Sequence, residues 1–179
     1  MNLPNKLTIL RALMVPVFVF FILYPAEQEM LFRLIALFLF CTASFTDYLD
    51  GHIARKRNLV TNFGKFMDPL ADKLLVCSAL ICMIPLSRLP AWYVIILISR
   101  EFIISGFRLI AVEQNVVIAA SYFGKLKTVS QMVMIILLIL QLPALHFVNL
   151  LFIYLSLILT IVSLIDYFIK NKDVLKETK

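Results

Sequence analysis

The sequence predicts an all-α integral membrane protein, a bundle of six transmembrane helices with both termini in the cytosol. Hydrophobic residues make up 62% of the 179 residues and charged residues only 16%, and the mean hydropathy is +0.96. A soluble domain is only about 45–50% apolar. The sequence also lacks the alternation of a β-strand, and backbone groups in lipid must be satisfied within helices or closed barrels.

The apolar residues gather in six stretches whose lengths approach the ~20 residues of a spanning helix. The stretches are residues 7–24, 30–46, 71–86, 91–110, 126–142 and 147–169. No small-residue cleavage site follows the first stretch, so it is expected to be a retained helix and not a signal peptide. The second and third are short, and both helices are predicted to continue into the polar segment between them. Because no linker-like stretch interrupts the chain, residues 1–179 are predicted to form one domain.

Basic residues predict how the helices are oriented. Of the 17 Lys and Arg residues, 14 fall on the side of the termini and of the polar segment 47–72. Arg33 and Arg88 fall on the opposite side, and Arg100 lies within the fourth span. Since Lys and Arg concentrate in cytoplasmic loops, both termini and the polar segment are predicted to be cytosolic in a multi-pass cell-membrane protein. The clustered charge is expected to meet anionic headgroups, with no nucleic acid as partner.

The polar segment between the second and third spans carries four carboxylates. Asp47 and Asp50 are three residues apart, and Asp68 and Asp72 are four apart, so each pair lies on one face of a helix. One such pair alone would be a solvated helix face. Two pairs in 26 residues favour a site for Mg²⁺ or Mn²⁺, which prefer oxygen ligands. Two such ions ~3.5–4 Å apart clamp the attacking and leaving oxygens of a phosphoryl transfer.

The segment DYLDGHIARKRNLVTNFGKFMDPLAD resembles the motif of the CDP-alcohol phosphotransferase family. All eight fixed positions of that motif are present, as Asp47, Asp50, Gly51, Ala54, Arg55, Gly64, Asp68 and Asp72. The resemblance implies a six-helix membrane fold, a homodimer, and a metal-dependent site at the cytosolic face. It also implies the activity, which is transfer of a phosphatidyl group from CDP-diacylglycerol to an alcohol with release of CMP.

The resemblance further assigns roles to individual residues. The four motif aspartates would hold two metal ions, Mg²⁺ or Mn²⁺, which bind the CDP diphosphate. Asp72 would also be the catalytic base that deprotonates the attacking hydroxyl. A second set of residues would bind the nucleotide; these are Thr8, Asp50, Gly51, Ala54 and Arg55.

Three further segments narrow the acceptor. LPNKLTILR, SREFIISGFRLIA and GKLKT resemble the phosphatidylglycerophosphate synthase branch of the family, which uses glycerol 3-phosphate and forms phosphatidylglycerophosphate. Independently, polar residues recur at helical spacing on the fourth and fifth spans, and such residues in membrane helices mark substrate paths. Arg108, Lys125 and Thr128 are therefore predicted to bind the acceptor phosphate. The alternative that Arg108 and Lys125 only anchor helix ends at the headgroups stays open.

Other functions share parts of this pattern. Inositol, inositol phosphate, serine or phosphatidylglycerol as acceptor would require the same aspartates. A membrane cation transporter would also use carboxylates, but its site would lie near the midplane and an inverted repeat is expected. Arg100 and Glu101 lie deeper in the fourth span and are predicted to neutralise each other or nearby partners in a structural role.

Overall fold

A computed structural model describes residues 3–24, 29–56, 73–113, 118 and 121–171, and within these ranges it contains helices and no strand. Side chains are described for residues 9–24, 29–46, 73–111, 118 and 121–171. The helices are α1 (Leu3–Leu23), α2 (Glu29–Lys56), α3 (Lys73–Cys82), α4 (Ala91–Glu113), α5 (Tyr122–Leu140), a short 3₁₀ helix (Pro143–Leu145) and α6 (His146–Lys170). The all-α prediction is confirmed for this part of the chain.

The predicted spans coincide with the six α-helices, and one of them ends earlier than expected. The third apolar stretch runs to residue 86, but α3 ends at Cys82 and residues 83–87 form turns. Pro85 explains this, because proline has no N–H and clashes with the preceding helical turn. The turn closes with the Ser87 N–H donating to the Ile84 carbonyl at 2.9 Å, and Ser87 adopts a left-handed φ of 56°.

Three of the described helical segments are long and apolar enough to cross a membrane, namely Glu29–Thr46, Tyr122–Leu140 and Pro143–Lys170. Shorter apolar helices cover Ile9–Leu23 and Lys73–Cys82. Helix α4 is long enough, but Arg100, Glu101 and Arg108 place three charges within its apolar part. The count of six spans and the cytosolic termini therefore stay predictions.

The chain divides into two compact units, Met1–Leu89 and Pro90–Lys179. In the first unit α1 and α2 pack against each other as an antiparallel hairpin. Phe18 contacts Phe40 with ring centroids 6.0 Å apart, and Phe21 contacts Phe32 at 5.2 Å. Helix α1 continues through Pro16 without interruption. The single domain predicted for residues 1–179 stays a prediction.

Charged residues meet where α2 begins. The Arg33 Nε lies 3.8 Å from the Glu29 carboxylate one turn earlier. Burial and the positive charge of Arg33 lower the pKa of Arg88, in the turn after α3, and Glu29 acts in the opposite direction. These charges lie at the opposite end of α2 from the aspartate motif.

In the second unit, α5 and α6 form a helical hairpin and α4 packs on α6. One end of the interface is aromatic, with Phe107 edge-on to Tyr167 at 5.5 Å. Polar contacts join the two helices at other points. The Tyr93 hydroxyl lies 2.5 Å from the Ser156 Oγ and donates to the Ile153 carbonyl at 2.8 Å, which fixes the first turns of α4 to α6.

Candidate active site

The first half of the aspartate motif lies on the last turns of α2. Because α2 runs unbroken to Lys56, a spacing of three or four residues places successive motif positions on one helix face. These positions are Asp47, Asp50, Gly51, Ala54 and Arg55. Gly64, Asp68 and Asp72 lie outside the described residues, so the meeting of the two aspartate pairs stays a prediction.

The α1–α2 hairpin brings Thr8 to the level of this motif. Phe18 and Phe40 are in contact, and both helices continue from there toward the same end of the hairpin. Thr8 lies ten residues before Phe18, and Asp50 lies ten residues after Phe40. Both positions therefore lie about 15 Å from the Phe18–Phe40 contact, in the same direction along the hairpin axis. This register agrees with the predicted role of Thr8 beside the nucleotide.

The same register identifies a residue that sequence reasoning did not single out. Arg11 lies seven residues before Phe18, and Asp47 lies seven residues after Phe40. The Arg11 side chain is about 1% exposed. Its place in the sequence indicated only that it is one of the basic residues on the cytosolic side, and gave no sign of this burial. A buried guanidinium requires hydrogen-bond partners or a counter-charge. Arg11 is thus a candidate partner of the acidic motif.

The residues predicted to hold metal ions are the four motif aspartates. Among the side chains that the structure describes, no three His, Cys, Asp or Glu residues form a metal-binding group. The motif aspartates lie outside that part of the chain. A set of four carboxylates fits Mg²⁺ or Mn²⁺, because both are hard cations that take oxygen ligands.

The three predicted acceptor residues all lie in the second unit with exposed side chains. Arg108 lies on α4, whereas Lys125 and Thr128 lie in the first two turns of α5. The Thr128 hydroxyl donates to the Gly124 carbonyl at 3.0 Å. Helix α5 begins at the N-cap residue Ser121, whose hydroxyl accepts the Gly124 N–H at 3.1 Å. The first turn of α5 is therefore well ordered by local hydrogen bonds.

Next to that turn lies a polar group, which we call the Glu101 cluster: Arg100 and Glu101 on α4, Lys127 on α5 and Ser163 on α6. Arg100, Lys127 and Ser163 are buried, and Glu101 is partly exposed. The Glu101 carboxylate accepts hydrogen bonds from the Lys127 ammonium and, at 3.4 Å, from Arg100. The Arg100 Nε donates to the Ser163 Oγ at 3.2 Å. The predicted pairing of Arg100 with Glu101 is confirmed.

Sequence reasoning missed the burial of Lys127, which is only about 1% exposed. It had treated Lys127 as one of the basic residues on the cytosolic side. A signal for it exists in the sequence. Lys127, Ser130 and Gln131 recur at i, i+3 and i+4 of an otherwise apolar helix, and all three are buried. That spacing is typical of a helix face directed at the interior of a bundle.

Comparison with known proteins extends the resemblance to nearly the whole chain. The family model for CDP-alcohol phosphatidyltransferase matches residues 1–162. The chain is 42% identical to the CDP-diacylglycerol–glycerol-3-phosphate 3-phosphatidyltransferase of Bacillus subtilis, over 98% of this chain and 97% of that protein.

Two further relatives give a similar result. The chain is 40% identical to a probable phosphatidylglycerophosphate synthase of Mycobacterium tuberculosis, over 93% of this chain and 79% of that protein. It is 38% identical to the CDP-diacylglycerol–glycerol-3-phosphate 3-phosphatidyltransferase of Rickettsia bellii, over 93% of each. The family model, the named relatives and the aspartate motif on α2 all indicate the same family, and the chain belongs to the CDP-alcohol phosphatidyltransferase family.

Proposed function

We propose that this protein transfers the phosphatidyl group of CDP-diacylglycerol to glycerol 3-phosphate, which gives phosphatidylglycerophosphate and CMP. The observation that carries the proposal is its similarity, over almost its full length, to relatives named for this reaction. The uninterrupted motif from Asp47 to Asp72 and the helical placement of its first half support the reaction class.

In the proposed reaction the acceptor hydroxyl attacks the phosphorus that carries diacylglycerol. A new phosphorus–oxygen bond forms, the bond from that phosphorus to the oxygen of CMP breaks, and CMP leaves. Asp72 takes the hydroxyl proton as general base. Bound Mg²⁺ or Mn²⁺, held by Asp47, Asp50, Asp68 and Asp72, would supply positive charge to the phosphoryl oxygens.

The remaining residues would bind and orient the substrates. Gly51 and Ala54 leave space on α2 for the nucleotide, and Arg55 would bind its phosphates. Arg108 and Lys125 would bind the acceptor phosphate, Arg108 as a planar fork and Lys125 as a point charge. The Thr128 hydroxyl, which donates to the Gly124 carbonyl in this structure, would turn from that carbonyl to the phosphate beside Lys125.

The apolar helices support a location within the cell membrane, and the bias of Lys and Arg supports a cytosolic site. We further infer that the protein works as a homodimer, as the family resemblance implies. CDP-diacylglycerol would reach the site from the bilayer, and glycerol 3-phosphate would enter from the cytosol.

An assay of acceptor choice tests this function. Purified protein receives labelled CDP-diacylglycerol with Mg²⁺ or Mn²⁺ and one of several acceptors, and CMP release is measured. The panel is glycerol 3-phosphate, inositol, inositol phosphate, serine and phosphatidylglycerol. We expect release with glycerol 3-phosphate and its loss on chelation by EDTA.

A matched pair of variants controls the assay. Asp47→Asn removes a motif carboxylate and should abolish turnover. Asp166→Asn removes a carboxylate outside the motif, one that pairs with Lys170 at 2.7 Å, and should leave turnover unchanged. A faster reaction with another acceptor would refute the proposed substrate, and CMP release insensitive to EDTA would refute the proposed metal dependence.

A further inference from the structure

We infer that Glu101 is a positioning residue for acceptor binding: it seats the first turns of α5, which present Lys125 and Thr128 to the acceptor phosphate. The inference rests on the proposed function and adds a residue that the proposed mechanism does not use. It follows from the contacts of the Glu101 cluster and from the close approach of α4 to α5 at Gly124.

The Glu101 carboxylate links α4 to α5, and its neighbour Arg100 links α4 to α6. Lys127 of α5 donates to Glu101, and Arg100 donates to both Glu101 and Ser163 of α6. One carboxylate therefore faces two cations that belong to different helices. In a bundle with little water, such a pair is strongly directional, because any other geometry leaves a charge buried without its partner.

Gly124 allows this arrangement. A Cβ atom at Gly124 would lie 3.4 Å from the Arg100 Nη2 and 3.3 Å from the Ser121 Oγ. The Arg100 guanidinium thus lies directly against the first turn of α5, where an added methyl group would contact it and press on the Ser121 hydroxyl. The position of that turn depends on Arg100 as well as on the hydrogen bond from Lys127 to Glu101.

The rotation of α5 about its own axis decides which residues it exposes. Successive residues are about 100° apart around a helix, so Lys125 and Lys127 lie on opposite faces of α5. With Lys127 held inward by Glu101, Lys125 and Thr128 are turned outward, and both are exposed. Glu101 therefore fixes the direction of two predicted phosphate ligands without contacting the acceptor itself.

Substitution of Glu101 tests the inference in the full-length protein. We expect Glu101→Gln to raise the KM for glycerol 3-phosphate by at least about tenfold, because misplaced ligands weaken binding in ground and transition states alike. The affinity for CDP-diacylglycerol should stay within about twofold. Lys127→Met should raise this KM less, since Arg100 still neutralises Glu101. The double variant Glu101→Gln and Lys127→Met should have a lower KM for glycerol 3-phosphate than Glu101→Gln alone. Without Glu101 both Arg100 and Lys127 lack their counter-charge, and the second substitution removes one of these two cations.

A second variant keeps every charge in place. Gly124→Ala adds one methyl group against Arg100 and Ser121 and should raise the KM for glycerol 3-phosphate at unchanged thermal stability, since alanine favours the helix. Gly106→Ala on α4 is the matched control, because no heavy atom lies within 4 Å of the added Cβ. This control should keep the wild-type KM. If Glu101→Gln fails to fold, Gly124→Ala decides the question.

Arg108→Ala and Lys125→Ala separate this inference from the proposed function. Both should raise the KM for glycerol 3-phosphate. If they do, and Glu101→Gln and Gly124→Ala leave that KM unchanged, the positioning role is refuted and the acceptor site stands. If neither Arg108→Ala nor Lys125→Ala changes it, the acceptor site and the positioning role fall together, whereas CMP release with glycerol 3-phosphate would still support the reaction.

Discussion

Arg11 and Lys127 are cationic side chains that are each about 1% exposed in a chain rich in apolar residues. A long basic side chain near a helix end normally extends to the headgroups. These two are directed into their units. For Lys127 the reason is the Glu101 carboxylate. For Arg11 the packing of α1 on α2 places its backbone at the same level as Asp47, which is therefore a candidate counter-charge.

Substitution of Arg11 should therefore affect stability. We expect Arg11→Leu to destabilise the protein by about 3–5 kcal/mol, the usual effect of removing one partner from a buried ionic group. Arg11→Lys should be milder, because the positive charge is kept. Thermal unfolding in detergent measures both, with Arg108→Lys as a control at an exposed position. An Arg11→Leu variant as stable as the wild type would show that Arg11 has no charged partner.

Asp72 is predicted to be both metal ligand and base, and asparagine separates the two roles. Asp72→Asn keeps the size and one oxygen of the side chain. It should therefore still bind CDP-diacylglycerol in a metal-dependent way and lose ~10²–10⁴ in single-turnover rate. Asp50→Asn should weaken nucleotide binding and turnover together. Both quantities are measured across Mg²⁺ concentration. Complete rescue of Asp72→Asn by added Mg²⁺ would leave Asp72 only as a ligand.

At the scale of elements, apolar stretches predicted the helices well and their ends less well. Hydrophobicity continues past Cys82, so it could not show where α3 ends. Backbone chemistry decides that end through Pro85 and the left-handed Ser87. Likewise the spacing of Asp47 and Asp50 sufficed to place both on one helix face, because that property is local. The burial of Lys127 depends on Glu101 of α4, which lies 26 residues before it in the sequence, so sequence spacing on α5 could only suggest it.

The turn after α3 offers a direct test of backbone strain. Ser87 has a φ of 56°, and the left-handed region costs a non-glycine residue roughly 1–2 kcal/mol. Ser87→Gly removes that cost, but it also raises the entropy of the unfolded chain, so we expect a net gain of up to about 1 kcal/mol. Ser87→Ala, the control, should bring no gain. Unchanged thermal stability of Ser87→Gly would contradict this account of the turn.

For the whole molecule, orientation is the property that the sequence predicts and the helices alone do not establish. The bias of basic residues predicts both termini on the same side and hence an even number of spans. Accessibility tags at Met1 and Lys179 should both react only from the cytosolic side of sealed vesicles. Labelling of only one of the two tags from the outside would require an odd number of spans.

The second half of the site depends on relations that no local pattern determines. The predicted meeting of Asp68 and Asp72 with Asp47 and Asp50 depends on how segments distant in sequence pack. The sequence can specify these residues through the family motif, but not their separation. Thr8 illustrates the difference, since the contact of Phe18 with Phe40, and not the sequence, places it at the same level of the hairpin as Asp50.

The length of α2 has a consequence for the lipid substrate. Its apolar part, Glu29–Thr46, is 18 residues long, or about 27 Å, close to the ~30 Å of a bilayer's hydrocarbon core. Asp47 follows at once, so the acids would lie at the depth of the phosphates of CDP-diacylglycerol. The lipid can then react with its acyl chains still in the membrane. Turnover should accordingly respond to bilayer thickness, because a thicker membrane draws Asp47 below the plane in which its substrate's phosphates lie.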